Sequence, residues 1–370
     1  MAPRRSTRIR EQVPDLPKPA SSLAQVSKSK GKKQSNPNGI VKKKAKSPTK
    51  SNINAQTTQE FAVPTTPKKK DPTEDGVSMS RDTIPRLTPP PRLDRPVDPH
   101  RTNATLMTPR GSSVVAYPSV EDASPSKTAL PRPTATTGNL LEKALEHLIA
   151  TDPRLKPVIE KHHCRIFSPE GLAERVDPFE SLISSVISQQ VSGAAAESIK
   201  NKFLDLFENT TAAGDGKKRR FPTPAEVMQH DLPTLRTAGL SQRKAEYIQG
   251  LAEKFAGGEL STEKLLKATD DEVMEMLIAV RGLGRWSVEM FSCFALKRTD
   301  VFSTGDLGVQ RGCAAFVGRD INKLKANGKG KFKYMTENEM LELAEKFRPY
   351  RTLFMWYMWR VEDVNIAVLN

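Results

Sequence analysis

A single carboxylate, Asp306, follows a turn with two glycines at a distance of about 20 residues. The turn, Arg281-Gly282-Leu283-Gly284, separates two segments whose apolar residues have helical spacing. Backbone N–H groups at a helix N-terminus, together with the positive end of the helix dipole, bind phosphate groups. An aspartate beside a bound nucleic-acid backbone could act on a nucleotide. These residues therefore predict DNA binding combined with chemistry on a nucleotide.

The glycine turn has the form of a hairpin between two helices, at about residues 270–296. Glycine at both positions allows a positive φ and close backbone approach, and we expect Leu283 to fill the space between the helices. A hairpin of this kind binds the phosphate backbone without reading base sequence. A plain turn with glycine caps is the alternative. The predicted DNA contacts are Gly282, Leu283, Gly284, Arg285 and Ser287.

Asp306 lies among small residues, in the segment Ser303-Thr304-Gly305-Asp306-Leu307-Gly308, where a side chain could reach an open cleft. The same residue could cap the N-terminus of a helix over residues 307–316. The two roles are compatible, because a capping position also directs a carboxylate outward. The nearest alternative carboxylate is Asp300, but Arg298-Thr299-Asp300 is typical of a surface turn.

From Asn139 onward the apolar residues follow helical periodicity. Asp177 is predicted to cap a helix that has Pro178 at its first position, with Glu180 three residues after the cap. No run of alternating β-branched residues is long enough for a sheet. We therefore expect an all-α fold for residues 139–370.

Residues 1–138 differ from the rest in composition and charge. They are rich in Pro, Ser, Thr, Lys and Arg and carry a net charge of +14, whereas residues 139–370 carry +1. A segment with so few apolar residues cannot bury enough surface to offset its ordering entropy. We predict a disordered basic tail over 1–138, which attracts polyanions, and a folded domain over 139–370.

The chain has three widely spaced cysteines and no CxxC pair, which excludes a zinc site or an iron–sulfur cluster built on such pairs. No apolar run approaches the length of a membrane span, and the N-terminus lacks the apolar core of a secretory signal. We expect a reducing intracellular compartment. Basic clusters such as Lys42-Lys43-Lys44 indicate nuclear import through an import receptor. A solvated tail without targeting function is the alternative.

The chain resembles the helix-hairpin-helix superfamily of DNA glycosylases, and within it the DNA-3-methyladenine glycosylase II branch in its fungal form. The resemblance covers about residues 139–366. It rests on blocks that occur in the family's order: Ile187-Ser188-Gln189-Gln190-Val191-Ser192, Gly239-Leu240-Ser241-Gln242-Arg243-Lys244-Ala245, Gly282-Leu283-Gly284-Arg285-Trp286-Ser287 with Asp306, and Arg348-Pro349-Tyr350-Arg351 with Trp356-Tyr357-Met358-Trp359. It implies two helical lobes with a cleft between them.

The resemblance implies that Asp306 stabilises an oxocarbenium-like sugar and orients the attacking water, after the target base is flipped out of the stack. A base alkylated at N3 or N7 is cationic, and an aromatic pocket would attract it by cation–π interaction. By the family pattern the pocket is formed by Trp286, Trp359, Tyr350 and Met290. Some of these aromatic residues could instead be ordinary core. Trp356 is expected in the core, and Met290 stands where some relatives have an aromatic residue.

Position 286 separates two reaction types within the superfamily. Lyase-type relatives have a lysine there, which forms a Schiff base with the sugar. This chain has Trp286, and Arg285 cannot act as an amine nucleophile at neutral pH. The resemblance therefore implies a monofunctional enzyme. It also places Gln190 where the family inserts a side chain into the gap left by the flipped base; a surface glutamine at a helix end is the alternative.

Together these observations predict a nuclear, monofunctional DNA glycosylase of base excision repair. It would remove alkylated purines such as 3-methyladenine and 7-methylguanine from double-stranded DNA and leave an abasic site. We expect no cofactor, no metal, no membrane association and a monomer. The alternatives are a non-catalytic helix-hairpin-helix protein bound to DNA or chromatin, and a glycosylase for other damaged bases.

Overall fold

The computed structural model describes residues 93–108, 111–129, 131–207, 220–327, 330 and 332–361. Helices dominate these residues, as the sequence predicts. No helix among them is both long enough and apolar enough to cross a membrane. The helices are α1 Pro125–Thr128, α2 Leu140–Thr151, α3 Lys156–Lys161, α4 Pro169–Ala173, α5 Pro178–Ser188, α6 Gly193–Asp205, α7 Pro224–Met228, α8 Leu232–Thr237, α9 Gln242–Ala256, α10 Thr262–Lys267, α11 Asp270–Ile278, α12 Arg285–Phe294, α13 Leu307–Phe316, α14 Ile321–Asn327, α15 Glu337–Glu345 and α16 Arg351–Met358.

Short strands, which the sequence did not predict, add two small sheets. They are β1 Pro96–Val97, β2 Thr105–Met107, β3 Ser113–Val114, β4 Ala135–Thr136 and β5 Arg175–Val176. β1 pairs with β4 in antiparallel register, and β2 lies between antiparallel β3 and parallel β5. With two or three residues each, these strands attach segments to the helical domain and leave its helical class unchanged.

Local capping explains where the helices that carry the site begin. The Asp177 carboxylate accepts hydrogen bonds from the backbone N–H groups of Phe179 and Glu180, so the predicted cap of α5 is confirmed. Ser192 caps α6 in the same way. At α11 the hydroxyl of Thr269 and the carboxylate of Glu272 form a reciprocal capping box. These contacts use residues no more than three positions apart, which is why the sequence reveals them.

Two separate apolar cores divide the helices into two groups. The first core contains side chains of α2, α3, α13, α15 and α16, and the second contains side chains of α5 and of α8 to α11. Helix α12 contributes to both, with Met290 and Cys293 in the first core and Val288 and Phe291 in the second. The residue that follows the glycine turn therefore begins a helix shared by both lobes.

The predicted boundary at residue 138 is wrong for the described residues between 93 and 138. Ala104 and Leu106 are fully buried, and the backbone N–H groups of Asn103 and Ala104 donate to the carbonyl of Leu296. The prediction failed because this segment has isolated apolar residues among prolines and threonines. It is held by strand pairing and by long-range hydrogen bonds, which composition does not reveal. Residues 1–92 of the predicted tail lie outside the described residues.

Candidate active site

Asp306 precedes α13 and caps its N-terminus. Oδ1 of its carboxylate accepts a hydrogen bond from the backbone N–H of Val309 at 2.8 Å. The side chain is half-buried, so it remains open to a ligand. The cap holds one carboxylate oxygen against the helix end, where the dipole favours negative charge. Both roles proposed for Asp306 from the sequence, the cap and the outward-facing carboxylate, are thus geometrically compatible.

Two tryptophans donate their indole N–H groups to the same carboxylate. Nε1 of Trp286 lies 2.8 Å from Oδ2 of Asp306, and Nε1 of Trp359 lies 2.9 Å from Oδ1. Trp286 is on the first turn of α12, and Trp359 directly follows α16. With the Val309 amide, three N–H donors fix the carboxylate, and all three suit an ionised acceptor. Two predicted pocket residues therefore contact Asp306 through the edges of their rings.

Gly308 leaves space for the contact between Trp359 and Asp306. This residue was not identified from the sequence. A Cβ atom at this position would lie 2.8 Å from Cδ1 of Trp359 and 3.2 Å from Oδ1 of Asp306. The Trp359 ring also stacks on Phe294, with centroids 5.8 Å apart and planes at 22°. A glycine two residues after a predicted catalytic N-cap is the only sequence signal for this packing.

Buried polar contacts support the loop that carries Asp306. Glu289 is 5% exposed, and its carboxylate accepts from the Ser303 hydroxyl and from Nε of Arg285. One residue further along the loop, the carbonyl of Thr304 accepts from Nε2 of Gln310 at 3.0 Å. Sequence reasoning singled out neither Glu289 nor Gln310, because each meets the loop only in the folded chain. Their contacts restrict the backbone immediately before the Asp306 carboxylate.

The glycine turn joins α11 to α12, but its two glycines differ in conformation. Gly282 has φ of +95°, and a Cβ there would lie 2.2 Å from the ring of Tyr247. Gly284 is the N-cap of α12 with φ of −96°, and a Cβ there would meet nothing within 4 Å. Gly284 therefore does not use the positive φ that glycine allows. The absence of a side chain there leaves the space around the N-terminus of α12 open.

The residues predicted to contact DNA differ in accessibility. Leu283 and Ser287 are 6% and 8% exposed, so their side chains belong to the protein interior and only their backbone can meet a ligand. Leu283 lies in the second core. The Arg285 side chain is 77% exposed and pairs with Glu289. Gln190 is exposed and has φ of +57°.

Tyr350 and Trp359 lie at opposite ends of α16. Tyr350 stands before the first residue of α16 and Trp359 after the last, which separates them by about 13 Å along the helix axis. The Tyr350 ring instead meets the edge of His147, at 5.5 Å between centroids. It also lines a cavity of about 230 Å³ whose lining contains neither Asp306 nor the two indoles. Met290 is 5% exposed in the first core.

Trp356 and the three cysteines are buried. Trp356 is 5% exposed, as expected of a core residue, and the Arg360 guanidinium lies 3.3 Å from its ring centroid. Burial raises the pKa of the Cys164 thiol to about 12 and also raises the pKa values of Cys293 and Cys313. Within the described part of the chain, no group of three or more His, Cys, Asp or Glu side chains could hold a metal ion.

Residues 183–335 match the model of the HhH-GPD superfamily of base excision DNA repair proteins. The chain is 33% identical to the DNA-3-methyladenine glycosylase of Saccharomyces cerevisiae, over 60% of this chain and 80% of the relative. It is 31% identical to DNA-3-methyladenine glycosylase 1 of Schizosaccharomyces pombe, over 60% of this chain and 89% of the relative.

Two solved structures also match the chain. A Bacillus halodurans DNA-3-methyladenine glycosidase matches with a TM-score of 0.44 and 31% identity, over 59% of this chain and 88% of that one. The 3-methyladenine DNA glycosylase of Schizosaccharomyces pombe in complex with abasic DNA matches with a TM-score of 0.46 and 28% identity, over 60% and 98%. From the family model and the two yeast relatives, the chain belongs to the DNA-3-methyladenine glycosylase family within the HhH-GPD superfamily of base excision DNA repair proteins.

Proposed function

We propose that this protein hydrolyses the N-glycosidic bond of alkylated purines, such as 3-methyladenine and 7-methylguanine, in double-stranded DNA and leaves an abasic site. The observation that carries this proposal is the Asp306 carboxylate, held by three N–H donors of which two are indoles. A fixed, half-buried anion suits the stabilisation of a cationic sugar. The family relationship supports the assignment, because its members are base excision repair glycosylases.

The chemistry needs a positioned anion more than an acid. A purine alkylated at N3 or N7 already carries positive charge and is a good leaving group, so bond cleavage leaves an oxocarbenium-like sugar. The Asp306 carboxylate stabilises that charge, an effect of about 3 to 4 kcal/mol where water is excluded. The same carboxylate orients the water that attacks C1′, and the proton released by this water passes to the carboxylate and then to solvent.

The tryptophans contribute through two parts of the ring. Their N–H edges hold Asp306. Their π faces attract a cationic base, by roughly 1 to 2 kcal/mol once the base is desolvated. A neutral, undamaged purine gains less from the same faces, which favours alkylated bases over normal ones.

The reaction stops at the abasic site because, among the described residues, no group that donates to Asp306 is an amine. The donors to Asp306 in the described structure are two indoles and a backbone amide. An indole N–H cannot form a Schiff base with the sugar, so strand cleavage by β-elimination does not follow base release. Borohydride should therefore trap no covalent complex between the protein and DNA.

The direct test is base release from methylated DNA. Purified protein is incubated with duplex DNA treated with a methylating agent, and the released bases are identified by mass spectrometry. We expect 3-methyladenine and 7-methylguanine from the unaltered protein. Asp306→Asn should lower release by about 100-fold or more while DNA binding persists, since asparagine is also a good N-cap. Full activity in this variant would refute the proposal, and a non-catalytic binding protein would release no base at all.

We also propose that the protein is a monomer that enters the nucleus on an import receptor. The basic clusters of the N-terminal tail support import, although these residues lie outside the described structure. Alanine at Lys42, Lys43 and Lys44 should reduce nuclear accumulation of a fluorescent fusion of the full chain. One site per chain is the basis for a monomer, which light scattering after size exclusion would test.

A further inference from the structure

We propose that Gln190 enters the DNA stack and that Lys244 is a positioning residue that links the DNA-binding hairpin to it. The inference rests on the proposed function, since it concerns how the damaged base is flipped. It follows from three sets of contacts: those of Lys244, those of Gln189 and those of the hairpin glycine, Gly282.

Lys244 holds the C-terminal end of α5. Its Nζ donates to the carbonyls of Ile187 and Gln189, at 2.7 Å each. The last carbonyls of a helix have no partner within the helix, and a cation there also compensates the negative end of the dipole. Burial lowers the pKa of Lys244, so the ammonium has lost part of its hydration to make these bonds. Among the described residues the Lys244 ammonium contacts two neutral carbonyls and forms no ion pair that would offset that loss, which points to a role in geometry.

Gln189 joins the same helix end to the hairpin. Its side-chain Nε2 donates to the carbonyl of Gly282 at 2.9 Å. Gly282 in turn lies against the ring of Tyr247, close enough that no Cβ would fit between them. Tyr247 stands three residues after Lys244 on α9 and therefore on the same face. One helix thus fixes both the hairpin turn and the end of α5.

Gln190 is the residue that this arrangement holds in place. It has φ of +57°, in the left-handed region that residues with a side chain seldom adopt, and its side chain is exposed. The preceding residue is held on both sides, by Lys244 at its carbonyl and by Gly282 at its side chain. Without these contacts the backbone of Gln190 would relax towards more common conformations. Its position relative to the hairpin would then vary.

A fixed distance between hairpin and Gln190 has a kinetic consequence. When the N-terminus of α12 binds a phosphate, Gln190 is already placed to enter the stack. Phosphate binding and base flipping then occur in one docking step. Removal of Lys244 should therefore impair flipping and excision while leaving the phosphate contacts intact.

The test compares Lys244→Met with Lys200→Met. Lys200 is the matched control because its Nζ also contacts α5, at Glu180 near the opposite end of the helix. Flipping is followed by the fluorescence of 2-aminopurine placed next to the lesion, and excision by single-turnover kinetics. We expect Lys244→Met to reduce the flipping signal and to slow excision by about 10- to 100-fold. Affinity for undamaged duplex should change by less than about 3-fold, and Lys200→Met should behave as the unaltered protein.

Two further variants keep the test decisive. If Lys244 acts through Gln190, adding Gln190→Ala to Lys244→Met should slow excision no further than the more severe single change. Gln189→Leu removes the bond to Gly282 but keeps the Lys244 contacts, so it should show the same defect if Lys244→Met fails to fold.

The inference would be overturned if the two changes slowed excision multiplicatively in the double variant. It would also be overturned if Lys244→Met lost affinity for damaged and undamaged DNA equally. Normal flipping in Lys244→Met, with thermal unfolding unchanged, would overturn it as well. Failure of the unaltered protein to release any methylated base would instead refute the proposed function. The 2-aminopurine signal would still report whether Lys244 positions Gln190.

Discussion

The indole Nε1 of Trp359 lies 2.9 Å from Oδ1 of Asp306, although 53 residues separate them in the chain. The aromatic residue expected to hold the base is therefore also a hydrogen-bond donor to the carboxylate proposed to be catalytic. In the proposed mechanism, one side chain couples recognition of the base to the orientation of the group that acts on the sugar. A change at Trp359 should affect the chemical step as well as binding.

Trp359→Phe should separate these two contributions. Phenylalanine keeps an aromatic face but loses the N–H donor. Loss of a hydrogen bond to a charged group costs about 1.5 to 3 kcal/mol, which corresponds to roughly 10- to 100-fold in rate if it acts in the transition state. We expect the single-turnover rate on 3-methyladenine DNA to fall by that factor. The affinity for abasic product DNA should change by less than about 5-fold.

Trp356→Phe provides the matched control. Trp356 lies on the same helix, and its buried indole nitrogen has no hydrogen-bond partner in the described structure. This variant should keep the excision rate, with a loss of stability measured by chemical denaturation. If both variants slow excision equally, the role assigned to the Trp359 N–H is wrong.

The two hairpin glycines should respond differently to alanine. Gly282→Ala places a Cβ 2.2 Å from the Tyr247 ring at a φ of +95°. Overpacking costs about 1 to 3 kcal/mol, and the backbone conformation adds roughly 1 kcal/mol. We expect a marked fall in the free energy of unfolding and loss of DNA binding together.

Gly284→Ala should leave stability nearly unchanged, since its φ is −96° and the space around it is open. Its added methyl group would obstruct a phosphate at the N-terminus of α12. We expect reduced affinity for both damaged and undamaged duplexes, together with normal unfolding by urea. Normal DNA affinity in Gly284→Ala would show that the phosphate does not approach at this position.

Gly308→Ala tests the packing that allows Trp359 to reach Asp306. A Cβ there would lie 2.8 Å from Cδ1 of Trp359, so the indole must shift. Alanine in a helix gains about 0.5 to 1 kcal/mol over glycine, which partly offsets the clash. Slower excision with only a small change in melting temperature is therefore expected. Unchanged excision would indicate that the Trp359 edge tolerates displacement.

The sequence predicted those features whose residues lie close together in the chain, and it missed those that depend on contacts between distant segments. The cap of α5 by Asp177 and the turn around Gly282 depend on neighbours within a few residues, and both were predicted. The Asp306 carboxylate and the two indoles were also identified, but the Trp359 bond to Asp306 was not. That bond depends on how α13 packs against α16, which no local pattern records.

Where the structure differs from the sequence prediction, contacts between distant segments are again the reason. Tyr350 was grouped with Trp359 because both belong to one family block, yet α16 puts them at opposite ends. Segment 93–108 was assigned to a disordered tail because its apolar residues lack periodicity, yet Leu106 is fully buried. Such contacts come from tertiary packing, which overrides local composition.

Segment 93–108 should also make stability depend on pH through His100. Nδ1 of His100 lies 2.8 Å from Oδ2 of Asp270, and Nε2 lies 3.8 Å from Oδ2 of Asp300. The hydrogen bond with Asp270 is the main reason that the pKa of His100 is raised, with Asp300 and Asp98 adding to it and burial opposing it. Arg298 also faces this group, donating to the His100 carbonyl and to Asp270.

A histidine whose pKa is higher in the folded than in the unfolded state contributes stability that is fully present below its unfolded pKa of about 6.5. That contribution disappears as pH rises through the folded value. The free energy of unfolding should therefore exceed that of His100→Gln most at pH 5.5, and the difference should shrink towards pH 8.5. Urea unfolding at several pH values measures this difference in the free energy of unfolding. The control is His163→Gln, a change at an exposed histidine. A difference that is constant or grows with pH would mean that the charged imidazole does not anchor this segment to the start of α11.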